Sequence, residues 1–157
     1  MKKIFLFYLL INAFYLQAQQ YQWFDPIASA VPVIDGRGWQ QDLASAYDRF
    51  PAAAEQTVRQ AVWNLSRNTA GEYIGFKTNS KTVVVQYVVK GNQSMPHMPA
   101  TGVSGVDLYA KDVNGDWRWA KGGYKFGDTI TYRFDNMVLS QPIETFRLYL
   151  PLYTAVQ

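Results

Sequence analysis

The 157-residue sequence predicts an all-β domain, an antiparallel β-sandwich of jelly-roll type, on three observations. Apolar and polar residues alternate with period two in short runs from Val62 to Leu150. Turn residues separate those runs at short, fairly even intervals. Hydrophobic residues make up 48% of the chain and aromatic residues 16%, enough for one core and too many for a disordered chain.

The chain opens with Lys2-Lys3, an apolar run from Ile4 to Leu16 broken by Asn12, and Gln17-Ala18. This order reads as a secretory signal peptide, residues 1–18, cut after Ala18. The run is shorter than the roughly 20 apolar residues that span a bilayer, and no later segment qualifies. The mature domain, 19–157, is therefore expected to be secreted or periplasmic and free of the membrane. Loss of Lys2 and Lys3 lowers the formal charge from +3 to +1. That leaves no basic stripe for a nucleic acid or a membrane surface, while glycans stay open as ligands. With no cysteine, disulfides and lipid-anchored cysteines are excluded.

From Tyr21 to Phe50 turn signals at Asp25-Pro26, Val31-Pro32 and Asp35-Gly36 predict irregular chain. Trp23, Phe24, Trp39 and Tyr47 are expected to pin it to a core or a neighbouring sheet. Pro51 to Gln60 has proline at a first helical position, three alanines and a glutamate, which predicts one or two turns of helix leading into a strand near Val62. From Ala61 onward the reading is β throughout. Tyr73–Lys77 and Thr82–Val89 are expected to form a hairpin about Asn79-Ser80. The second of these has two partly apolar faces, as a strand inside a sandwich does.

Met95 to Tyr109 holds the only histidine, two prolines and two glycines. Pro96 and Pro99 each remove a backbone donor, so the stretch begins as a shaped loop. It continues as a strand with Val106, Leu108 and Ala110 inward and Asp107 and Tyr109 on the other face. Asn114-Gly115 predicts a hairpin to Trp117-Arg118-Trp119. Gly122-Gly123 and Gly127-Asp128 are further turns. Thr129–Phe134 and the stretch around Phe146, Leu148 and Leu150 are the last strands.

Candidate chemistry is sparse. With one histidine, any hydrolytic site must use His97, yet no nucleophile and orienting acid stand in a recognisable relation to it. Gly102-Val103-Ser104-Gly105 is no Gly-x-Ser-x-Gly elbow, because its second glycine comes one residue early. Asp112-Val113-Asn114-Gly115-Asp116 lacks the closing glutamate of a calcium loop and reads as a turn. No metal or other cofactor is called for. Asn64-Leu65-Ser66 matches a glycosylation sequon by pattern and is read as strand and turn. Trp117 and Trp119 share one face of their strand, which makes a sugar platform if outward and core if inward, the reading adopted here. Asp107 is expected to satisfy donors of the preceding loop.

Four ordered stretches carry a resemblance: Trp63-Asn64-Leu65-Ser66, His97-Met98-Pro99, Gly105-Val106-Asp107-Leu108-Tyr109, and Leu148-Tyr149-Leu150-Pro151-Leu152-Tyr153. Over roughly residues 25 to 153 the chain resembles the N-terminal domain, marked by a Gly-x-Asp-Leu-Tyr motif, that precedes SGNH-type (GDSL-like) esterases in Bacteroidetes and related bacteria. The resemblance implies a β-sandwich accessory domain whose partner in cis is an SGNH catalytic domain lying outside this chain. Gly105, Asp107, Leu108 and Tyr109 are then the family motif. His97, Met98 and Pro99 become candidates for the substrate side or the domain interface, with Asp107 and Tyr109 bracing their loop. The Gly-Asp-Ser and Asp-x-x-His blocks of such hydrolases are missing. Gly127-Asp128-Thr129 has threonine for serine, and Ser94 stands three residues before His97. The expected function is a non-catalytic accessory domain of a secreted carbohydrate esterase, acting on a glycan or acylated glycan; the alternative is a free-standing carbohydrate-binding sandwich module.

Overall fold

A computed structural model describes residues 21–139 and 141–157; the expected signal peptide lies outside them. In chain order the strands are β1 (Ile34–Asp35), β2 (Tyr73–Thr78), β3 (Val83–Tyr87), β4 (Val89–Lys90), β5 (Asp107–Lys111), β6 (Trp117–Ala120), β7 (Gly123–Lys125), β8 (Ile130–Phe134), β9 (Glu144–Tyr149) and β10 (Ala155–Val156). A 3-10 turn spans Ala52–Gln56, and two short helices follow, α1 (Gln60–Ser66) and α2 (Ala100–Val103). All pairings are antiparallel: a five-stranded sheet β1-β2-β9-β5-β6, a three-stranded sheet β3-β8-β7, and the pair β10-β4. No helix among the described residues is long and apolar enough to cross a membrane.

Register explains the core. Ile34, Ile74, Leu148, Leu108 and Ala120 line up across the five strands as one inward row. Phe76, Phe146 and Ala110 form the next, with the Phe76 and Phe146 rings stacked at 5.3 Å. Ile130, Tyr132 and Phe134 of β8 and Val83, Val85 and Tyr87 of β3 join the same cluster from the other sheet. Leu108 and Ile130 are completely buried, each stabilising the fold by about 1.5–3 kcal/mol. The expected alternations at Val106–Ala110, Thr129–Phe134 and Phe146–Leu150 are all present. So is the hairpin around Asn114-Gly115, where Gly115 takes a φ of +89°.

Four expectations need correction. The segment after Gln60 is helix α1 and not a strand near Val62, and α2 also interrupts the β reading. Gln60, Ala61, Asn64 and Leu65 tolerate a helix, Gln60 hydrogen-bonds Asn64 one turn on, and only Trp63 and Ser66, three apart, need burial. The sequon Asn64-Leu65-Ser66 accordingly lies on a helix. Second, β2 and β3 form no hairpin. Both edges of β2 are already paired, with β1 and β9, and the Thr78 and Ser80 hydroxyls capture the Ser80 and Thr82 amides, so the connection carries the chain to the other sheet. Third, β3 is an edge strand of its sheet despite its two apolar faces. Fourth, Tyr47 is buried, but Trp23, Phe24 and Trp39 stay half exposed in the irregular N-terminal segment.

Gly105 sits at a close approach. A Cβ there would lie 2.2 Å from the Thr101 carbonyl oxygen and 2.6 Å from the Tyr132 hydroxyl, neither of which can move aside cheaply. At Gly102 the added carbon would meet only the flexible Met98 thioether at 3.0–3.2 Å. Gly105→Ala is therefore expected to destabilise the domain by about 1–3 kcal/mol in urea unfolding, and Gly102→Ala by clearly less. Equal effects would refute this account of the motif glycine.

Candidate functional site

The outward side of the five-stranded sheet is built from residues that alternate with the core rows. Tyr73, Tyr149 and Asp107 stand in one row, and Gly75, Arg147, Tyr109 and Trp119 in the next. Tyr73 and Tyr149 lie 5.4 Å apart between ring centres, and Tyr109 meets Tyr149 edge-on at 5.6 Å. The Arg147 guanidinium reaches diagonally over Tyr73 at 4.6 Å and over Trp117 at 4.3 Å. Each such contact is worth about 0.5–1 kcal/mol at an exposed site and fixes the side chain flat on the sheet. Polar handles hold the rings in turn. The Trp119 indole N–H donates to Asp107 at 3.0 Å, and the Tyr73 hydroxyl donates to Asp35 at 3.0 Å. The Gly36 amide, followed by that tyrosine hydroxyl, lowers the Asp35 pKa.

Trp117 and Trp119 thus face outward, against the expectation that they are core; Trp119 is 56% exposed. An edge strand such as β6 leaves both side chains free to turn to solvent, and the Asp107 carboxylate supplies the partner the indole wants. Asp107 therefore bonds Trp119 instead of the donors of its preceding loop. Of the motif, Leu108 is core while Asp107 and Tyr109 belong to the outer face. Tyr73, Arg147 and Tyr149 escaped the sequence reading as site residues. The one signal was the polar-aromatic face of β9 opposite Phe146, Leu148 and Leu150.

His97 is exposed at the tip of a turn closed by reciprocal backbone bonds between Met95 and Met98. Asp107 and Tyr109 do not brace it, since their partners are Trp119 and Tyr149. The base is held elsewhere: the Ser104 hydroxyl donates to the Gln93 carbonyl, the Gln93 amide donates to Gly127, and Tyr87 donates to Ser104. Beside this turn the chain returns. The Tyr153 amide bonds the Val103 carbonyl, β10 pairs with β4, and the Gln157 amide bonds Val88. Leu152 and Tyr153 are exposed there.

Two further places bear on the chemistry of the domain. A cavity of about 690 Å³ opens between the sheets, lined by Ile74, Phe76, Val83, Val85, Leu148 and the N-terminal Tyr21–Pro26 segment among others, with no histidine or carboxylate in its wall. Gly127-Asp128-Thr129 is the bend before β8, and Asp112 spends its carboxylate on the Asn114 and Asp116 amides and on Arg118, as a hairpin turn requires.

The buried charges lie at the base of the irregular segment. Arg37 donates to the Ala46 and Asp48 carbonyls and to Glu72, 3.3 Å away, and Arg67 pairs with Asp48 at 2.7 Å. Glu72 is wholly buried, with Oε2 lacking any hydrogen-bond partner. Desolvation pushes its carboxyl up to about 7, Arg37 offsetting this only in part. Burial raises Asp48 as well, against the opposing pull of Arg67.

A carboxyl with a raised folded-state pKa favours folding when protonated, and that benefit is lost as pH rises toward the folded value. Stability should therefore fall by up to about 3 kcal/mol between pH 4.5 and 7.5 on account of Glu72. Glu72→Gln, which keeps an acceptor for Arg37, should flatten most of that slope in urea unfolding at several pH values, Asp48 retaining the remainder. An unchanged slope would rule out Glu72 as its source.

Comparison with known proteins identifies the family of the domain. The profile of the GxDLY family, described as the N-terminus of Esterase SGNH hydro-type, matches residues 21–157. No curated protein matches the sequence. A solved structure from Bacteroides ovatus ATCC 8483, described as a GDSL-like lipase, superposes with a TM-score of 0.69 at 30% identity. The match covers 79% of this chain and 36% of that one, so the chain spans little more than a third of that protein.

Proposed function

This chain belongs to the GxDLY family, the domain at the N-terminus of SGNH-type esterases, and from that premise we propose that it is a non-catalytic accessory domain of a secreted carbohydrate esterase. It packs on the hydrolase domain in cis and shapes the substrate entrance. Its sheets close as a jelly-roll-like sandwich, and the signal peptide at residues 1–18 directs it to the periplasm or beyond. The observation that carries the reading is the hydrogen bond from the Tyr153 amide to the Val103 carbonyl, which seats exposed Leu152 and Tyr153 beside the helix that follows the Met95–Met98 turn. These two side chains are available there as apolar contacts for the hydrolase domain. His97 and Met98 would then stand at the mouth of the neighbouring site, where an imidazole can hydrogen-bond a substrate hydroxyl or carbonyl.

A second reading, a carbohydrate-binding module, is favoured by the outward turn of Trp117 and Trp119. The two readings differ in whether the chain needs an attached hydrolase to act on its glycan.

The test uses the complete two-domain enzyme. His97→Ala should lower kcat/KM roughly tenfold on an acylated oligosaccharide, the loss of one substrate hydrogen bond, while a small acetyl ester and the melting temperature stay unchanged. Unaltered turnover of both esters would remove His97 from the substrate side. The 157-residue chain alone should release no acetate from acetyl esters, and turnover abolished by His97→Ala would overturn the non-catalytic assignment.

A further inference from the structure

The outer face of the five-stranded sheet carries aromatic rings but no aliphatic side chain. Its outward positions on β2, β9, β5 and β6 are tyrosine, tryptophan, glycine, threonine and charged residues. The core of a protein-binding patch ordinarily includes aliphatic or methionine side chains that fill the partner's pockets. A surface of aromatic rings with polar groups at its margins suits instead the apolar faces and hydroxyl edges of sugar rings.

Arg147 lies in the middle of this surface, between Tyr73 and Trp117. Its neighbours Asp35 and Asp107 have partners of their own, Tyr73 and Trp119. Among the described residues no carboxylate or carbonyl accepts a hydrogen bond from Arg147; ring contacts position it, and the Asp35 carboxylate lies within coulombic reach. A guanidinium already fixed in orientation, with its fork of N–H donors unspent, matches a planar carboxylate in two-point geometry. Little side-chain entropy remains to be lost when it binds. Lys77 and Lys111 stand exposed on the same face and add to its positive potential.

We propose that this face binds an acidic saccharide, a chain of uronic acid units, with one carboxylate held by Arg147 and neighbouring rings stacked on Tyr109, Tyr149 and Trp119. The proposal deepens the glycan-binding reading and rests on it, but does not depend on the accessory role. It assigns the centre of the site to β9 and β5, with the tryptophans of β6 as its margin.

The experiment titrates the purified chain by calorimetry with a short oligogalacturonate and with a neutral cello-oligosaccharide of equal length, at low and high salt. The acidic chain should bind at least roughly tenfold more tightly, a preference that shrinks as salt rises. Arg147→Ala should abolish the preference while the chain stays folded. Arg147→Lys, which keeps the charge but loses the planar fork, should recover only part of it. Equal binding of both sugars, or a preference that survives Arg147→Ala, would overturn the acidic specificity and leave a neutral sugar surface. Binding of neither would overturn the glycan reading as well. If Arg147→Ala unfolds the chain, the salt dependence and the acid-to-neutral ratio in the unmutated chain decide alone.

Discussion

Two tyrosine hydroxyls of the three-stranded sheet hold the start of β5 in the five-stranded one, and the rest of the architecture depends on that tie. Tyr87 of β3 donates to the Ser104 carbonyl at 2.6 Å, and the Tyr132 hydroxyl oxygen of β8 accepts from the Val106 amide. Gly105 between them has no room for a side chain. Burial raises both phenols, Tyr132 to about 12, so neither ionises near neutral pH and both keep their hydrogen. Because β5 pairs with β9 and β6, fixing its first residues fixes the register that sends Leu108 into the core and Asp107 and Tyr109 out of it. The Gly-x-Asp-Leu-Tyr sequence is thus a statement about one strand end: close approach at the first position, an outward carboxylate, an inward leucine, an outward ring.

The same tie reaches the His97 turn. Ser104, held through its carbonyl by Tyr87, uses its hydroxyl on Gln93 at the base of the loop. The turn is therefore anchored to the core at its foot while its tip stays exposed, an arrangement that serves a contact better than a fold. The buried Arg37, Glu72 and Asp48 perform the corresponding task for the irregular segment before α1. That segment leaves Trp23, Phe24, Ile27, Val31 and Trp39 largely exposed, so carbonyls gathered on one guanidinium take the place of packing.

The class of fold was legible because period-two alternation reports which face of a strand is wet, and it did so correctly at Val106–Ala110, Thr129–Phe134 and Phe146–Leu150. Pairing was less legible. Alternation on Tyr73–Thr78 and Val83–Tyr87 says that both are strands, but not that β2 spends both its edges on β1 and β9, which removes the hairpin. Helix α1 was missed because its burial rests on one large residue, Trp63, and one aromatic gives no period to read. The same limit applies to the site. Arg147, Tyr73 and Trp117 are far apart in sequence and meet only through register across β2, β9, β5 and β6, so no motif could have announced them.

A sheet normally spends its aromatic residues on the core, where ring area stabilises most. Here the five-stranded sheet fills its inner rows chiefly with Ile34, Ile74, Leu148 and Leu108 and places Tyr73, Tyr109, Tyr149, Trp117 and Trp119 outside. Stability alone does not require that division, because outward rings retain much of their contact with water, and polar side chains would make a more soluble face. Nor are these rings loose. Asp35, Asp107 and Arg147 each hold one or more of them in place, so the face is ordered before anything meets it. Order without burial lowers the entropy cost of binding and contributes little to folding, which is what sets this face apart from the cavity between the sheets as the surface on which the proposed saccharide would bind.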